Sequence, residues 1–541
     1  MKRYFLLGII IFLFILFSVT PTLYELSEKD NVVGRTFELV HNYYTDYNFY
    51  LSRIREGIEG RWTVVEEYTT EPHAGSLIQV FYLLLGKSAV GFSDHYLGAT
   101  VAYHGARMLL GAVFLFLVTL LVRKLFTSLL WQILAFLLAV TASGWPIVVP
   151  VSDTWRLGGY MSWWTIMDNL QRMTFLPHLL LGQVLIVILL LGSSDVKTLG
   201  KPVYLLWLGL AAFILGLVFP PGLVFVGATF GCLIILEALL DWNVLLKTKT
   251  RKEWILSHVL PRALIGVVAL PSVLYFQFVF RFVPWKRLIE LDILHPLPFN
   301  FLEYGKALGP TLALGILGLS MVFWKKDKRF IVPVAWVLAW GALLFIFRYI
   351  PSQSPLRFSE MAPHVPLGIL TAYLFYELWR CCSQNFFSLT APMLLIVLGF
   401  TMMVSSFLWQ KDFVDTKVHA GWPYFSMNNY IVYPLTTFTD ALSFIEKQTP
   451  HDAIILSDIS GGNYIPPYTG HTVFVGHDNT FDAERKVGQM RAFYSGQMPL
   501  EEAQAWLTKE RISYVFFGFQ EKENGKLENI QKTYPFLKNR Q

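Results

Sequence analysis

Residues 203–241 have the sequence VYLLWLGLAAFILGLVFPPGLVFVGATFGCLIILEALLD, which is two apolar blocks separated by Pro220-Pro221-Gly222. A helix that crosses the hydrocarbon core of a bilayer needs roughly 20 predominantly apolar residues. Each block is close to that length, and the proline pair with glycine is typical of a tight turn. The stretch therefore predicts two membrane-spanning helices joined by a short external turn.

The same apolar pattern recurs along the chain and predicts about eleven spans. The predicted spans lie at about 5–20, 99–122, 129–149, 176–192, 203–219, 222–241, 263–280, 308–324, 330–349, 363–380 and 390–409.

The composition agrees with a polytopic membrane protein. Of the 541 residues, 54% are hydrophobic and 15% are charged, and the mean hydropathy is +0.47. Soluble domains carry about 25% charged residues. These values exclude a disordered, fibrous or nucleic-acid-binding chain.

Basic residues predict the orientation of the spans, because cytoplasmic loops are enriched in Lys and Arg. Lys2 and Arg3 precede the first apolar block, which has no cleavage-site pattern, so we expect a retained signal-anchor with a cytoplasmic N-terminus. Basic residues also fall in each loop that alternation places inside: Arg123 and Lys124; Lys197 and Lys201; Lys247, Lys249, Arg251 and Lys252; 325–329; Arg380. The net charge of +6 is explained mainly by this topology. The predicted location is the plasma (inner) membrane.

Four segments follow from this topology. We expect a first transmembrane helix at 1–20, an extracytoplasmic loop with surface helices at 21–98, a transmembrane bundle at 99–409 and an extracytoplasmic domain at 410–541. In the last segment, apolar runs at 453–457, 472–475 and 512–517 alternate with helical spacing and predict a small parallel α/β domain. The predicted fold class is thus mainly α, with this α/β domain at the C-terminal end.

Ligands often bind at the carboxyl ends of parallel strands. The residues predicted to gather there are Asp458, Gly461, Gly462, His477 and Asp478. Such residues are also common turn formers, and we favour that interpretation over a role in acceptor binding or docking. No G-x-G-x-x-G follows a strand, so a nucleotide site is unsupported.

The first predicted external loop concentrates acidic residues. Thr45 and Asp46 begin an amphipathic helix that Gly57 ends, and we expect this helix to lie along the membrane surface. A carboxylate in this position can take a proton from an acceptor. Alternatively, Asp46 is only a helix N-terminal charge that the dipole stabilises. Further candidates for contact with the acceptor follow in Glu66, Glu67, Glu71 and His73.

External cations are informative because topology does not explain them. Arg281, Arg348 and Arg357 lie at external ends of predicted spans. Arginine binds phosphate in a bidentate manner, so these residues are candidates for holding the phosphate of a lipid carrier, led by Arg357. The alternatives are contacts with anionic lipid head groups, or salt bridges with Glu303 and Glu360.

The second predicted external loop adds Asp153 and Asp168, which are candidates for acceptor binding or for contact with a divalent metal. The sequence supports no metal site: Cys232, Cys381 and Cys382 show neither a disulfide framework nor a zinc pattern, and a divalent cation needs several oxygens held together.

These residues resemble motifs of the GT-C superfamily of integral-membrane glycosyltransferases, which includes protein O-mannosyltransferases, the aminoarabinose transferase and oligosaccharyltransferases. Residues 45–50, Thr-Asp-Tyr-Asn-Phe-Tyr, resemble the aspartate-aromatic stretch of the family's first loop, and 71–75 followed by an apolar helix resembles its re-entry segment. Residues 356–359 and 363–370 resemble the family's Arg-Tyr-Leu-Leu-Pro stretch, and 462–477 resembles tails of bacterial members.

The resemblance implies a catalytic role for Asp46, a carrier-phosphate contact for Arg357, and a sugar donor on polyprenyl phosphate or diphosphate. The chain departs from the family at Asn48, which stands where a strict Asp-x-Asp has its second acid, and it has no Asp-Glu pair. It also has no Trp-Trp-Asp-Tyr-Gly motif, so transfer of a whole oligosaccharide to asparagine is not expected.

The sequence thus predicts an inverting glycosyltransferase that moves a sugar from a polyprenyl-phosphate donor to a hydroxyl on an acceptor glycan, lipid or protein at the extracytoplasmic face. Membrane lipids are expected partners and nucleic acid is not. A transporter or lipid flippase is one alternative, although it would need ionisable residues at mid-membrane depth in several spans. The other alternative is a non-catalytic membrane scaffold.

Overall fold

The computed structural model describes residues 2–31, 34–39, 44–151, 154–158, 169–173, 176–294, 299–350, 354–381, 387–418 and 433–539. The chain forms two compact units. The first unit comprises Met1–Thr20, Arg107–Phe276 and His295–Asp412, and the second comprises Pro21–Ala106, Gln277–Leu294 and Phe413–Gln541. The second unit therefore combines residues of the predicted first external loop with residues of the C-terminal segment.

The described part of the chain is mainly helical. Its first helices are α1 (Lys2–Ser27), α2 (Tyr44–Ile58), α3 (Val80–Lys87), α4 (His95–Leu125), α5 (Leu129–Thr141), α6 (Asn169–Arg172), α7 (Pro177–Ser193), α8 (Val196–Leu199), α9 (Pro202–Val218), α10 (Pro220–Leu240), α11 (Trp242–Leu245), α12 (Thr248–Trp254) and α13 (Leu260–Val279). The later ones are α14 (Arg287–Leu294), α15 (Phe301–Leu308), α16 (Pro310–Lys325), α17 (Ile331–Phe347), α18 (His364–Cys381), α19 (Phe387–Val418), α20 (Thr436–Gln448), α21 (Ile459–Thr469), α22 (Ala483–Tyr494), α23 (Leu500–Lys509), α24 (Phe519–Gly525) and α25 (Ile530–Thr533).

Several of these helices are long and apolar enough to cross a membrane, which makes the chain an integral membrane protein. Within the described residues, six segments meet that condition: Gly8–Ser27, His95–Leu125, Pro220–Leu240, Thr250–Val279, Lys328–Tyr349 and Leu389–Lys411. A seventh is formed if α15 and α16, which meet at 85°, are one broken span. Shorter apolar helices α5, α7 and α9 coincide with three more predicted spans. The mainly helical membrane class is confirmed, and the number of about eleven spans stays a prediction.

The bend between α15 and α16 occurs at Gly309, which has φ +68°. A side chain there would place its Cβ 2.0 Å from the carbonyl oxygen of Ser143. Glycine is the residue that combines this backbone conformation with such a close approach. The span predicted at 308–324 is therefore preceded by the short helix α15, which meets α16 at 85°.

Two predicted boundaries differ from the structure. Pro220 and Pro221 do not form the turn; they occupy the first turn of α10, where proline's missing N–H leaves no hydrogen bond unmade, and α9 ends at Val218. The apolar block at 129–149 is helical only to Thr141, and beyond Gly144 and Pro146 the chain becomes strand β1 (Ile147–Val151). Proline cannot continue a helix, so α5 stops short of the predicted span. Strand β1 pairs antiparallel with β2 (Thr154–Gly158).

The C-terminal strands form a parallel sheet. β3 (Ile454–Leu456) lies between β4 (Thr472–Val473) and β5 (Ile512–Val515), and both neighbours run parallel to it. Helix α21 connects β3 to β4, as a parallel connection requires. The strands lie within the apolar runs from which they were predicted, and the separate domain at 410–541 stays a prediction.

A mixed core joins the sheet to the segment around α2. Phe49 and Tyr68 pack with buried side chains of α20, α21, β3 and β4, including Leu442, Tyr464 and Val473. The backbone N–H of Val473 donates to the carbonyl of Glu67 at 2.8 Å. Burial of these side chains, each worth about 1.5–3 kcal/mol, ties two segments distant in sequence into the second unit.

Candidate functional site

Helix α2 positions Asp46. Its apolar stripe, which includes Tyr47, Leu51 and Ile54, is buried. The opposite face is buried as well, since Arg53 and Glu56 are both fully inaccessible. Asp46 differs from both faces, because about a third of its side chain (34%) is exposed at the beginning of the helix.

Helix α2 ends at Ile58, one residue after Gly57, which the sequence predicts as its end. A Cβ on Gly57 would lie 2.0 Å from the carbonyl oxygen of Leu83, and a Cβ on Gly86 would lie 2.0 Å from that of Ile54. The two glycines thus let the backbones of α2 and α3 come into contact. This crossing fixes the axis of α2 and with it the position of Asp46.

His477 is the side chain that contacts Asp46. Its Nε2 lies 3.4 Å from Oδ1 of Asp46, and its ring stacks on Phe49 with centroids 4.3 Å apart and planes inclined by 14°. Nδ1 of His477 accepts a hydrogen bond from the backbone N–H of Asn479 at 3.1 Å. An imidazole nitrogen that accepts carries no proton, so the neutral ring has its proton on Nε2, directed at Asp46.

Asn48 occupies the place of a second acid and makes hydrogen bonds within the fold. Its Nδ2 donates to Oδ1 of Asn463 at 3.0 Å, and Nδ2 of Asn463 donates to the carbonyl of Thr45 at 3.1 Å. The hydroxyl of Tyr68 donates to the carbonyl of Asn463 at 3.0 Å. These bonds fasten the beginning of α2 to α21. Within the described residues no group of three or more His, Cys, Asp or Glu side chains could hold a metal ion.

A buried ion cluster lies farther along α2. Arg53 donates to Glu66 at 2.7 Å, to Glu56 at 3.1 Å and to the carbonyl of Val65 at 2.7 Å. Burial alone would lower the pKa of Arg53, but the carboxylates of Glu66 and Glu56 raise it above its ordinary value. Burial raises the pKa of Glu56 to about 7, although Arg53 opposes that shift. The cluster holds the loop after α2 against the helix.

The other predicted acceptor-binding residues of this loop also have partners within the second unit. Glu67 is 2% exposed and lies 3.3 Å from Arg61, and burial raises its pKa well above the ordinary value. Glu71 accepts from Lys486 of α22 at 2.7 Å. His73 accepts from the backbone N–H of Glu66 at 2.8 Å and lies against the carbonyl of Glu71 at 2.6 Å. Their predicted contact with an acceptor stays a prediction.

Arg287 holds the segment next to His477. It is 4% exposed, donates from Nε to the carbonyl of Asp478 at 3.3 Å, and forms an ion pair with Glu484 at 3.0 Å. The His477 turn is closed by the backbone N–H of Thr480, which donates to the carbonyl of His477 at 2.9 Å. The turn is therefore held both by its own backbone hydrogen bond and by Arg287 of α14.

The first unit contains the leading phosphate candidate. Arg357 lies on a 3₁₀ turn, Pro355–Phe358, capped by Ser354, and it is exposed while Leu356 and Phe358 on either side are buried. Glu360, which follows, forms a buried ion pair with Arg172. Burial raises the pKa of Glu360 to about 7 against the attraction of Arg172 and Arg357. The sequence suggests Glu360 as a salt-bridge partner for the external arginines, and Arg172 is its ion-pair partner in the structure.

The remaining candidates are placed as follows. Arg348 is exposed at the end of α17, with its guanidinium carbon 5.8 Å from the ring centroid of Phe301, and Arg281 is exposed in the second unit. Glu303, the other proposed partner, pairs with Lys306 at 2.8 Å. Asp153 and Asp168 lie outside the described residues.

The fold is similar to that of solved archaeal oligosaccharyltransferase structures. The chain is similar to the archaeal oligosaccharyltransferase AglB from Archaeoglobus fulgidus in complex with an inhibitory peptide and a dolichol-phosphate, with a TM-score of 0.53 and 12% identity over 87% of this chain and 65% of that chain. A second structure from that organism, an oligosaccharyltransferase tethered to an acceptor peptide with the NVT sequon, matches with a TM-score of 0.53 and 12% identity over 87% of this chain and 64% of that chain. This chain thus spans slightly less than two thirds of their length.

ArnT from Cupriavidus metallidurans bound to undecaprenyl phosphate also matches, with a TM-score of 0.46 and 12% identity over 87% of this chain and 85% of that chain. No protein-family model matches the chain, and no curated protein matches it by sequence. At these identities the likeness is one of fold.

Proposed function

We propose that the protein is an inverting glycosyltransferase of the plasma membrane, which moves a sugar from a polyprenyl-phosphate donor to an acceptor hydroxyl at the extracytoplasmic face. The observation that carries the proposal is Asp46: a partly exposed carboxylate, anchored through one oxygen, at the beginning of a helix that is otherwise buried. A general base must come within hydrogen-bond reach of the acceptor's proton and keep a fixed geometry, and a partly exposed, anchored carboxylate suits both requirements.

The proposed reaction is a single displacement. Asp46 takes the proton of the acceptor hydroxyl while the acceptor oxygen attacks the anomeric carbon. The bond from that carbon to the phosphate oxygen breaks, and polyprenyl phosphate leaves with the electron pair. Negative charge grows on the leaving phosphate, so a fixed cation beside it lowers the barrier.

We assign that cation to Arg357, with Arg348 and Arg281 as further phosphate contacts. The 3₁₀ turn buries the neighbours of Arg357 and leaves its side chain exposed, where a ligand in solvent or lipid can reach the guanidinium. The AglB neighbour is in complex with dolichol-phosphate, a carrier of the proposed chemical class.

On the acceptor side, we propose that Glu66, Glu67, Glu71 and His73 position the acceptor. Asp153 and Asp168 remain candidates for direct contact. The N-terminus is proposed to be cytoplasmic and the C-terminal segment extracytoplasmic, which places the Asp46 side on the outer face with the donor's sugar.

The first test is Asp46→Asn in the purified, reconstituted protein. Tritiated glucose, mannose or galactose on undecaprenyl phosphate is supplied with membranes that lack the protein as the acceptor source. Loss of the base should lower transfer by about 10²–10⁴-fold. Asp94→Asn is the matched control, because Asp94 caps α4 in the same segment and asparagine caps equally well.

Full transfer by Asp46→Asn would refute the base assignment. If the wild type forms no covalent product but carries the labelled lipid from one leaflet to the other, the protein is a flippase and the proposal is wrong.

A second test addresses Arg357. Arg357→Ala should lower kcat/KM for the donor by about 10²–10³-fold, because the cation acts on charge that grows in the transition state, and Arg357→Lys should restore part of it. Lys306→Ala, which removes an exposed cation that pairs with Glu303, is the control and should leave transfer unchanged. Equal activity of Arg357→Ala and the control would remove Arg357 from the site.

A further inference from the structure

Among the described residues, His477 makes the one hydrogen bond that reaches the side chain of Asp46 from another side chain. The bond joins Nε2 to Oδ1 at 3.4 Å, and within the same residues no side chain or backbone group is bonded to Oδ2 of Asp46. His477 is 8% exposed, so its donor is largely shielded from competing water. About a third of the Asp46 side chain is exposed, so an aspartate held by one oxygen has its second oxygen available to a ligand.

Contacts at a ring nitrogen and on a ring face hold the imidazole of His477 in place. The backbone N–H of Asn479 donates to Nδ1, and the ring face lies on Phe49 with centroids 4.3 Å apart. The turn that carries the ring is closed by Thr480 and held by Arg287 through the carbonyl of Asp478. A turn that served only to reverse the chain would need none of these contacts with α2 and α14.

We propose that His477 is a positioning residue for the transfer reaction: its Nε2–H bond to Oδ1 holds Asp46 so that Oδ2 points to the acceptor hydroxyl. The inference rests on the proposed function and adds a C-terminal residue to that site. His477 takes up no proton in this role, and the proton of the acceptor moves to Oδ2 of Asp46. The turn assignment favoured by the sequence accounts for the backbone of His477 but not for its side chain.

Two substitutions separate the hydrogen bond from the ring contact. His477→Gln places an amide N–H within reach of Asp46 but gives up stacking on Phe49. His477→Phe keeps an aromatic ring on Phe49 but cannot donate. If the side chain serves only packing, His477→Phe should behave as the wild type and His477→Gln should be the damaged variant.

We expect the reverse order in activity. His477→Phe should lower kcat by about 10²-fold with little change in the donor KM, because an unheld base loses its alignment. His477→Gln should retain most of the wild-type kcat. The temperature of thermal unfolding in detergent should rank the two variants in the opposite order, with His477→Phe the more stable. The ranking by activity and the ranking by stability should therefore differ.

His451→Phe is the matched control, since His451 also lies beside a carboxylate, with Nε2 at 3.6 Å from Glu59, and has no part in the proposed site. It should transfer as the wild type does. The assay is the tritiated-sugar transfer from undecaprenyl phosphate used for Asp46→Asn.

Wild-type kcat in His477→Phe, or activity that follows the unfolding temperature across the variants, would overturn the positioning role while the proposed function stands. A wild type that transfers no sugar from any of the three donors would overturn the proposed function and the positioning role with it.

Discussion

Two carboxylates near the beginning of α2 differ in their burial: Glu38 precedes the helix, and Asp46 lies in its first turn. Asp46 is partly exposed and contacts His477, whereas Glu38 is 2% exposed and accepts one hydrogen bond, from the hydroxyl of Tyr96 at 2.9 Å. Burial raises the pKa of Glu38 to about 8, and the hydrogen bond from Tyr96 opposes the shift only in part. Near neutral pH, burial thus favours the protonated form of Glu38 in the folded protein.

This difference predicts a pH dependence of stability. The unfolded chain ionises Glu38 near the ordinary glutamate pKa of 4.5 and the folded chain only near 8, so rising pH favours the unfolded state across that window. The free energy of unfolding should fall by up to about 1.4 kcal/mol per pH unit from this group. Glu38→Gln cannot ionise and should remove that part of the slope.

The measurement is denaturant unfolding of the detergent-solubilised protein between about pH 4.5 and 8, the window set by those two pKa values, wild type against variant. Glu303→Gln, which changes a half-buried carboxylate paired with Lys306, is the control. Parallel curves for wild type and Glu38→Gln would mean that Glu38 is already charged in the folded protein.

At the scale of elements, the crossing of α2 and α3 is set by backbone contact. Gly57 and Gly86 leave no room for a Cβ, since each would meet a carbonyl oxygen at 2.0 Å. This crossing begins about two helical turns after Asp46 and anchors the helix that presents it. A shift of α2 would move Asp46 away from His477.

Gly86→Ala should therefore be costly both to stability and to transfer. Overpacking typically costs about 1–3 kcal/mol, and here backbone atoms are in the way, so we expect at least the upper part of that range. Gly105→Ala is the matched control, because Gly105 lies in helix α4 and a Cβ at that position would have no neighbour within 4 Å. Thermal unfolding and the transfer assay on both variants test this, and equal unfolding temperatures would contradict the close crossing.

At the scale of the whole molecule, basic loops predict which ends of the helices face the cytoplasm. Cys381 is exposed at the end of α18, directly after Arg380, and should face inward. Ala505 is exposed on α23 and should face outward. Local charge sets orientation in this way because loops rich in Lys and Arg are retained on the cytoplasmic side.

A membrane-impermeant maleimide tests this orientation in intact cells. Ala505→Cys, in a background with Cys232, Cys381 and Cys382 changed to alanine, should be labelled without permeabilisation. The chain with Cys381 as its single cysteine should be labelled only after permeabilisation. The opposite pattern would invert the topology and exclude a reaction at the outer face.

The sequence by itself determined the membrane class, most helix positions and the strand runs, because these follow from local apolar length and periodicity. It also singled out Asp46 and Arg357, since an acid or a cation stands out against apolar neighbours. Local signals were weaker at Gly57 and Pro220. Glycine commonly ends a helix, but Gly57 allows α2 and α3 to come into contact. Proline commonly forms a turn, but Pro220 begins α10.

Only the tertiary structure decided which residues meet. Asp46 and His477 lie 431 positions apart, and Glu71 and Asn48 each have a hydrogen-bond partner 415 positions away, Lys486 and Asn463. A hydrogen bond between distant residues depends on how buried cores bring their elements together, and no local pattern encodes that. His477 was therefore visible in the sequence as a turn residue and became a neighbour of the proposed base only when the chain was folded.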